Sequence, residues 1–203
     1  LDRALPIELG QTISQPFIVA LMIEALELKP GDRVLEVGTG SGYAAAVLAK
    51  LAREVYTIER HAELAKTAAQ RLKSEGFDNV ELRHGDGTLG WPEHAPYDAI
   101  VVAAGGPRVP QALREQLAVG GRLVIPVGDS PTDQQLLRIT RRGDSDYEQR
   151  SLGDVLFVPL VGAAGWEGEA QHSDRLTVPG SSGSSRPGLV SELVRESAEP
   201  LTE

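Results

Sequence analysis

The sequence predicts an α/β domain in which a mostly parallel β-sheet carries helices on both faces and ends in an antiparallel strand pair. Three observations predict it. Short strand-like apolar runs alternate with amphipathic helical stripes as far as Val127, the pattern of parallel strands joined by crossover helices. After Gly128 the helical spacing stops, and two further apolar runs are separated by a polar turn. The 203 residues are 41% hydrophobic, enough for one sizeable core, yet only 4% aromatic, so Leu, Val, Ile and Ala must build that core.

The elements follow in order. Ile18, Leu21, Met22, Ala25 and Leu26 recur at helical spacing, which predicts a helix from Ser14 to about Leu28. Ser14 suits its N-cap, and Pro16 suits its first turn, where a missing N–H costs little. Lys29-Pro30-Gly31-Asp32 then turns the chain into a buried strand over 33–37. A helix over 44–51, a strand over 55–58, a helix over 62–74 and a strand over 80–83 continue the alternation. A strand over 97–103, a helix over 109–117 and a strand over 122–127 complete it. The antiparallel pair is read over 135–140 and 155–160, with Arg141-Arg142-Gly143-Asp144-Ser145 as the polar turn.

Downstream, Gly, Ser, Glu and Pro dominate from Ala163 to Gly188, the composition of a flexible linker. The reading therefore divides the chain into a domain over 1–162, a linker over 163–188 and a tail over 189–203. Leu189, Leu193 and Val194 begin a helical pattern in that tail, read as the start of a further domain. The chain opens on Leu1 with no secretory signal, and no run of 18 apolar residues predicts a membrane span. Twenty Lys and Arg against 29 Asp and Glu give a formal charge of -9, which offers no overall footprint for nucleic acid. With no Cys, thiolate nucleophiles and Cys-ligated zinc are excluded, and a reducing, cytoplasmic setting is expected. His61, His84, His94 and His172 show no paired metal-ligand spacing, so no metal is expected.

The strongest chemical constellation is Val34-Leu35-Glu36-Val37-Gly38-Thr39-Gly40-Ser41-Gly42-Tyr43, a strand running into a Gly-rich turn and a helix. Such glycines let the backbone approach a ligand, and the helix start offers free N–H groups. A dinucleotide fingerprint wants Gly or Ala three residues after its second Gly, but position 43 is Tyr. The pattern instead resembles the nucleoside loop of Rossmann-like methyltransferases that use S-adenosylmethionine. Glu59, ending the second strand, is either an acceptor for ribose hydroxyls or a charge at the start of the following helix. Asp86, in Gly85-Asp86-Gly87 after the third strand, is either an acceptor for an adenine amino group or a turn residue. The three signals fall at the carboxyl ends of consecutive strands, where open parallel sheets bind ligands.

Several further segments carry a more specific resemblance. Gly10-Gln11-Thr12-Ile13-Ser14-Gln15-Pro16, the loop 38–43, Arg83-His84-Gly85-Asp86-Gly87, Ala95-Pro96-Tyr97-Asp98, the run from Gln116 to Gly128 and Phe157-Val158-Pro159-Leu160 are similar, in order, to the protein-L-isoaspartate O-methyltransferase family. The resemblance covers about residues 5–162 and implies a Rossmann-like methyltransferase fold. It also implies methyl transfer from S-adenosylmethionine to the free carboxylate of L-isoaspartyl, and by extension D-aspartyl, residues in damaged proteins or peptides. It makes Ser14 the residue that contacts the substrate carboxylate, although a helix cap is its plainer reading. Thr12 and Ile13 would shape the same loop, and Ile125, Pro126 and Val127 would flank the substrate peptide. Glu36, Gly38, Thr39, Gly40, Ser41, Gly42, Glu59, Asp86 and Gly87 would hold the cofactor. Two other readings stand beside it: a methyltransferase for a dedicated peptide, small molecule or nucleic acid, and a non-catalytic cofactor-binding module of a larger protein. The tail's Leu193-Val194-Arg195-Glu196-Ser197-Ala198-Glu199-Pro200-Leu201 weakly resembles the opening of erythromycin-esterase-like domains.

Overall fold

The computed structural model describes residues 5–6, 12–13 and 16–167. Among these residues the elements begin with β1 (Leu5–Pro6), β2 (Thr12–Ile13), α1 (Pro16–Ala25), β3 (Arg33–Val37), α2 (Tyr43–Leu51), β4 (Glu54–Glu59), α3 (Ala62–Ser74) and β5 (Val80–His84). After two 3₁₀ turns come β6 (Tyr97–Val102), α4 (Gln111–Glu115), β7 (Leu117–Ser130), β8 (Asp133–Arg141) and β9 (Tyr147–Val155). β1 and β2 pair with each other, and the other seven strands form one sheet in the order β5-β4-β3-β6-β7-β8-β9. Pairing is parallel from β5 to β7 and antiparallel from β7 to β9.

Period-two alternation divides the parallel strands between two apolar layers. On one face Val34, Val55, Ala99, Val101 and Val124 meet Val19, Met22 and Ile23 of α1, Leu26 just after it, and Leu48 of α2. On the other, Leu35, Ile58, Ile100, Val102, Leu123 and Ile125 meet Leu113 of α4 and Trp91. A sheet covered on both faces explains why these strands read as continuous apolar runs.

Three local readings change. The second member of the antiparallel pair is 147–155, not 155–160. β9 is a sheet edge whose residues are mostly exposed, so its sequence, Tyr-Glu-Gln-Arg-Ser-Leu-Gly-Asp-Val, carries no apolar stripe. The apolar run after it leaves the ladder, held by the Gln134 side chain at Phe157 and by an isolated bridge from Pro159 to Gly105. The helix expected over 109–117 has only five residues, because Leu117 already pairs with Tyr97 as the start of β7. The Arg141 guanidinium donates to the carbonyls of Glu115 and Leu117, taking up groups that a longer helix would have bonded internally. Residues 163–167, read as the start of the linker, are bound to the domain: the Ala163 amide donates to Asp86 and the Trp166 indole to Gly105. The rest of the linker and the tail lie outside the described residues, as does the Ser14 cap.

Candidate active site

Where β3, β4 and β6 end, a cleft of about 890 Å³, its open mouth included, lies over the sheet. That is the crevice in which open α/β sheets place ligands. Its floor is the turn 38–41, which leads through Gly42 into α2. Gly38, Gly40 and Gly42 have φ of 97°, 54° and 87°, a region that side-chain-bearing residues rarely occupy. The Gly38 amide donates to the Ile58 carbonyl at 2.8 Å, and the Ala103 amide donates to the Val37 carbonyl at 2.8 Å. The turn is thereby fixed between β4 and β6, and its backbone is left uncovered toward the cleft.

Glu59 stands at the cleft wall with only 4% of its surface exposed. One side-chain oxygen accepts the Gly40 amide at 2.9 Å and the other the His61 amide at 2.9 Å. A carboxylate has about four acceptor sites. Both oxygens are therefore held in place while each keeps capacity for a ligand hydroxyl, which is the geometry a ribose diol requires. Glu59 thus bonds an amide at the start of α3 and also lines the cleft.

Glu36 lies beneath the turn and does not line the cleft. Thr57 donates its hydroxyl to one Glu36 oxygen at 2.5 Å, and the Thr39 and Thr57 hydroxyls are 2.5 Å apart. A hydroxyl has one proton, so with Thr57 donating to Glu36 the chain runs from Thr39 to Thr57 to Glu36. The hydroxyl of Thr39 is thus engaged inward, while the residue also lines the cleft. Burial pushes the Glu36 carboxyl up to about 8, against the lowering effect of the Thr57 hydrogen bond and with a further rise from nearby Glu59. Its other oxygen is the one buried side-chain polar atom without a hydrogen-bond partner among the described residues.

Asp86 already accepts three hydrogen bonds. One oxygen accepts the amide and hydroxyl of Thr88, at 2.8 and 2.7 Å, and the other accepts the Ala163 amide at 2.8 Å. Burial pushes its carboxyl up, but these hydrogen bonds and the charge of Arg60 outweigh burial and hold it below its ordinary value. Gly87, its neighbour, does line the cleft, as does Ser41, while buried Gly42 caps α2.

The substrate-side residues are distributed less simply. Ile125 is fully buried in the core and has no surface for a substrate. The Pro126 carbonyl accepts the Gly106 amide at 3.1 Å, so the backbone expected to flank a peptide is already paired there. Val127 remains half-buried beside Gly106. Thr12 and Ile13 pair with Pro6 and Leu5, and Ser14 lies outside the described residues. Tyr43, Leu64, Ala103 and the run Val158–Val161 line the cleft without having been singled out as site residues. Val158-Pro159-Leu160 carried a signal, since it belongs to the recognised segments, but its apolar character reads as a strand.

Comparison with known proteins agrees with this geometry. The family profile "Protein-L-isoaspartate(D-aspartate) O-methyltransferase (PCMT)" matches residues 1–165. Protein-L-isoaspartate O-methyltransferase 2 of Pelobacter propionicus is 65% identical over 165 residues, 81% of this chain and 73% of that protein. The relative of the same name from Marinobacter nauticus is also 65% identical, over 81% of this chain and 75% of its own. Among solved structures, a protein-L-isoaspartate O-methyltransferase superposes with a TM-score of 0.75 at 31% identity, over 81% of this chain and 54% of that one. A putative protein-L-isoaspartate O-methyltransferase from Plasmodium falciparum, in complex with S-adenosyl-L-homocysteine, gives 0.70 at 30% identity, over 79% of this chain and 81% of the other. With a profile match across most of its length and relatives identical at two positions in three, the chain belongs to the protein-L-isoaspartate(D-aspartate) O-methyltransferase family.

Proposed function

We propose that this protein transfers a methyl group from S-adenosylmethionine to the free carboxylate of L-isoaspartyl residues in damaged proteins, with D-aspartyl residues as a second substrate class. The ester so formed closes to a succinimide as the following backbone nitrogen attacks its carbonyl carbon and methanol leaves, which starts repair. The observation that carries this reading is the family match over residues 1–165, which contains the whole Gly-floored, Glu59-walled cleft. S-adenosylmethionine, when bound, supplies a methyl group activated by its sulfonium. The left-handed glycine turn and the prepositioned Glu59 fit its nucleoside, and Gly87 and Ser41 lie on the same cleft. The reading sets the reaction in the reducing cytoplasm, where a chain without cysteine has no thiol to oxidise.

The chemistry asks little of the side chains. A carboxylate nucleophile with a pKa near ~4 is already ionised at neutral pH, so no general base is needed. Catalysis then consists of aligning carboxylate oxygen, methyl carbon and sulfur in a site closed to water, an orientation effect of roughly 7–11 kcal/mol. Ser14 is assigned the substrate carboxylate, with Thr12 and Ile13 shaping its loop and Val127 presenting the side chain beside the peptide.

The test is transfer of labelled methyl to paired peptides that differ only in L-isoaspartyl or L-aspartyl linkage. Base-labile label is expected on the isoaspartyl peptide alone. Ser14→Ala is expected to lower kcat/KM by roughly 10- to 100-fold, the loss of one hydrogen bond to a charged group. Label on both peptides, or on neither while S-adenosylmethionine binds, would overturn the assignment in favour of another methyl acceptor or a non-catalytic module.

A further inference from the structure

The segment from Phe157 to Trp166 runs past the ends of β5 and β6 and forms one wall of the cleft through Val158, Leu160 and Val161. Its attachments converge on Gly105, in the loop after β6. The Gly105 amide donates to the Val158 carbonyl at 2.8 Å, and the Gly105 carbonyl accepts the Leu160 amide at 2.8 Å. The same carbonyl then accepts the indole N–H of Trp166 at 2.9 Å. Trp166 also donates its amide to the Leu160 carbonyl at 2.7 Å, so residues 160–166 form a closed loop. Gly165 lies so near the Leu160 carbonyl that a Cβ there would overlap it. Along the way the Ala163 and Ala164 amides donate to Asp86 and to the Thr88 hydroxyl at 2.8 and 3.2 Å.

The sequence of the segment is Phe-Val-Pro-Leu-Val-Gly-Ala-Ala-Gly-Trp, and the indole nitrogen is its one polar side-chain atom. At the other end the segment is anchored from outside. Buried Gln134 accepts the Phe157 amide at 2.9 Å and donates to the Phe157 carbonyl at 3.0 Å, as a neighbouring strand would. The wall residues Val158, Leu160 and Val161 have apolar side chains, and Val158 and Leu160 are tied to Gly105 through backbone bonds. Without the indole bond, the return half of the loop keeps its amides on Asp86, Thr88, Gly162 and Leu160 but loses its bond to Gly105 from a side chain.

We propose that Trp166 is a positioning residue for the cofactor: through its indole bond to Gly105 it holds Leu160 and Val161 in place as a wall of the S-adenosylmethionine cleft. The proposal rests on the cofactor assignment made above. It gives the residues immediately before the polar linker a specific task in binding, carried out without touching the reacting atoms.

The experiment compares the whole chain with Trp166→Phe, which keeps a ring and loses the N–H, and with Trp166→Ala. Calorimetric titration with S-adenosylhomocysteine reads binding without turnover. Trp166→Phe is expected to weaken binding, and to raise KM for S-adenosylmethionine, by about three- to tenfold, the loss of one hydrogen bond. Its kcat should stay within about twofold, because the interaction is the same in ground and transition states. Trp166→Ala should weaken binding further. A lowered unfolding temperature with unchanged affinity would assign Trp166 a structural role only and overturn the proposal.

A second reading uses fluorescence. The only other tryptophan is Trp91, so the wild-type spectrum minus that of Trp166→Phe isolates the Trp166 emission. Saturating S-adenosylhomocysteine should change that difference spectrum, and no change would overturn the proposal. If the wild type fails to bind S-adenosylhomocysteine, the cofactor assignment falls and this inference with it. Tight wild-type binding with unaffected variants removes this inference alone.

Discussion

Glu59→Ala is expected to raise the dissociation constant for S-adenosylhomocysteine about 100-fold or more, measured by calorimetry on protein whose circular dichroism matches the wild type. The estimate follows from acceptor geometry. Glu59 is almost fully buried at the end of β4, and the amides of Gly40 and His61 hold its two oxygens at 2.9 Å each. A ribose diol would therefore meet two acceptors already aligned, with little ordering entropy left to lose on binding. Hydrogen bonds to charged groups contribute roughly 1.5–3 kcal/mol each. Two of them exceed the ~2.7 kcal/mol that corresponds to a 100-fold change. Glu59→Gln should fall between wild type and alanine. It keeps one acceptor oxygen, but its amide group would face the Gly40 or His61 N–H, placing two donors against each other. A dissociation constant for the alanine variant within about threefold of wild type would show that Glu59 only stabilises the turn and the start of α3.

This site was legible in the sequence to the extent that it is local. The glycine turn, Glu59 and Gly87 follow directly on strands whose apolar runs are unmistakable, so their place at the carboxyl ends of the sheet follows from strand order alone. The α3 helix spans residues 62–74 as the periodicity predicts, because its buried Leu64, Ala65, Ala68 and Leu72 lie on one face. The misreadings arise where distant pieces of chain decide the outcome. β9 is polar because it is an edge, and an edge strand is identified by the neighbour it lacks. After Val155, which ends β9, the run 156–160 is apolar because it covers the cleft and the core, without a place in the ladder. The bond from Ala163 to Asp86, 77 residues upstream, is another contact that no spacing rule reaches. Glu36 and Thr39 stand in the glycine motif and yet are turned inward by Thr57, which no motif includes.

The inward turn of Glu36 has a thermodynamic consequence that a pH series of unfolding curves will show. Its carboxyl is raised to about 8 in the folded protein by burial, while an exposed glutamate ionises near 4.5. Between those values the unfolded chain has released a proton that the folded chain retains, so stability falls as pH rises. The loss begins as pH passes 4.5 and is complete above about 8. Three to four pH units correspond to a change on the order of 5 kcal/mol. Glu36→Gln fixes the neutral form, since its amide oxygen can still accept the Thr57 hydroxyl while its NH₂ occupies the site of the unpartnered oxygen. Wild type and variant should therefore have similar urea midpoints near pH 5, with the variant clearly more stable at pH 8.5. Parallel curves across that range would show that Glu36 ionises normally, with water reaching its free oxygen. Glu59 supplies a separate check, because its charge raises Glu36 further. In a Glu59→Ala background the onset of the loss should be unchanged, being set by the unfolded chain, while its upper limit moves to lower pH. The acidic residue of the glycine motif is thus a buried neutral acid joined through Thr57 to the turn it supports, and its cost to stability is greatest on the alkaline side.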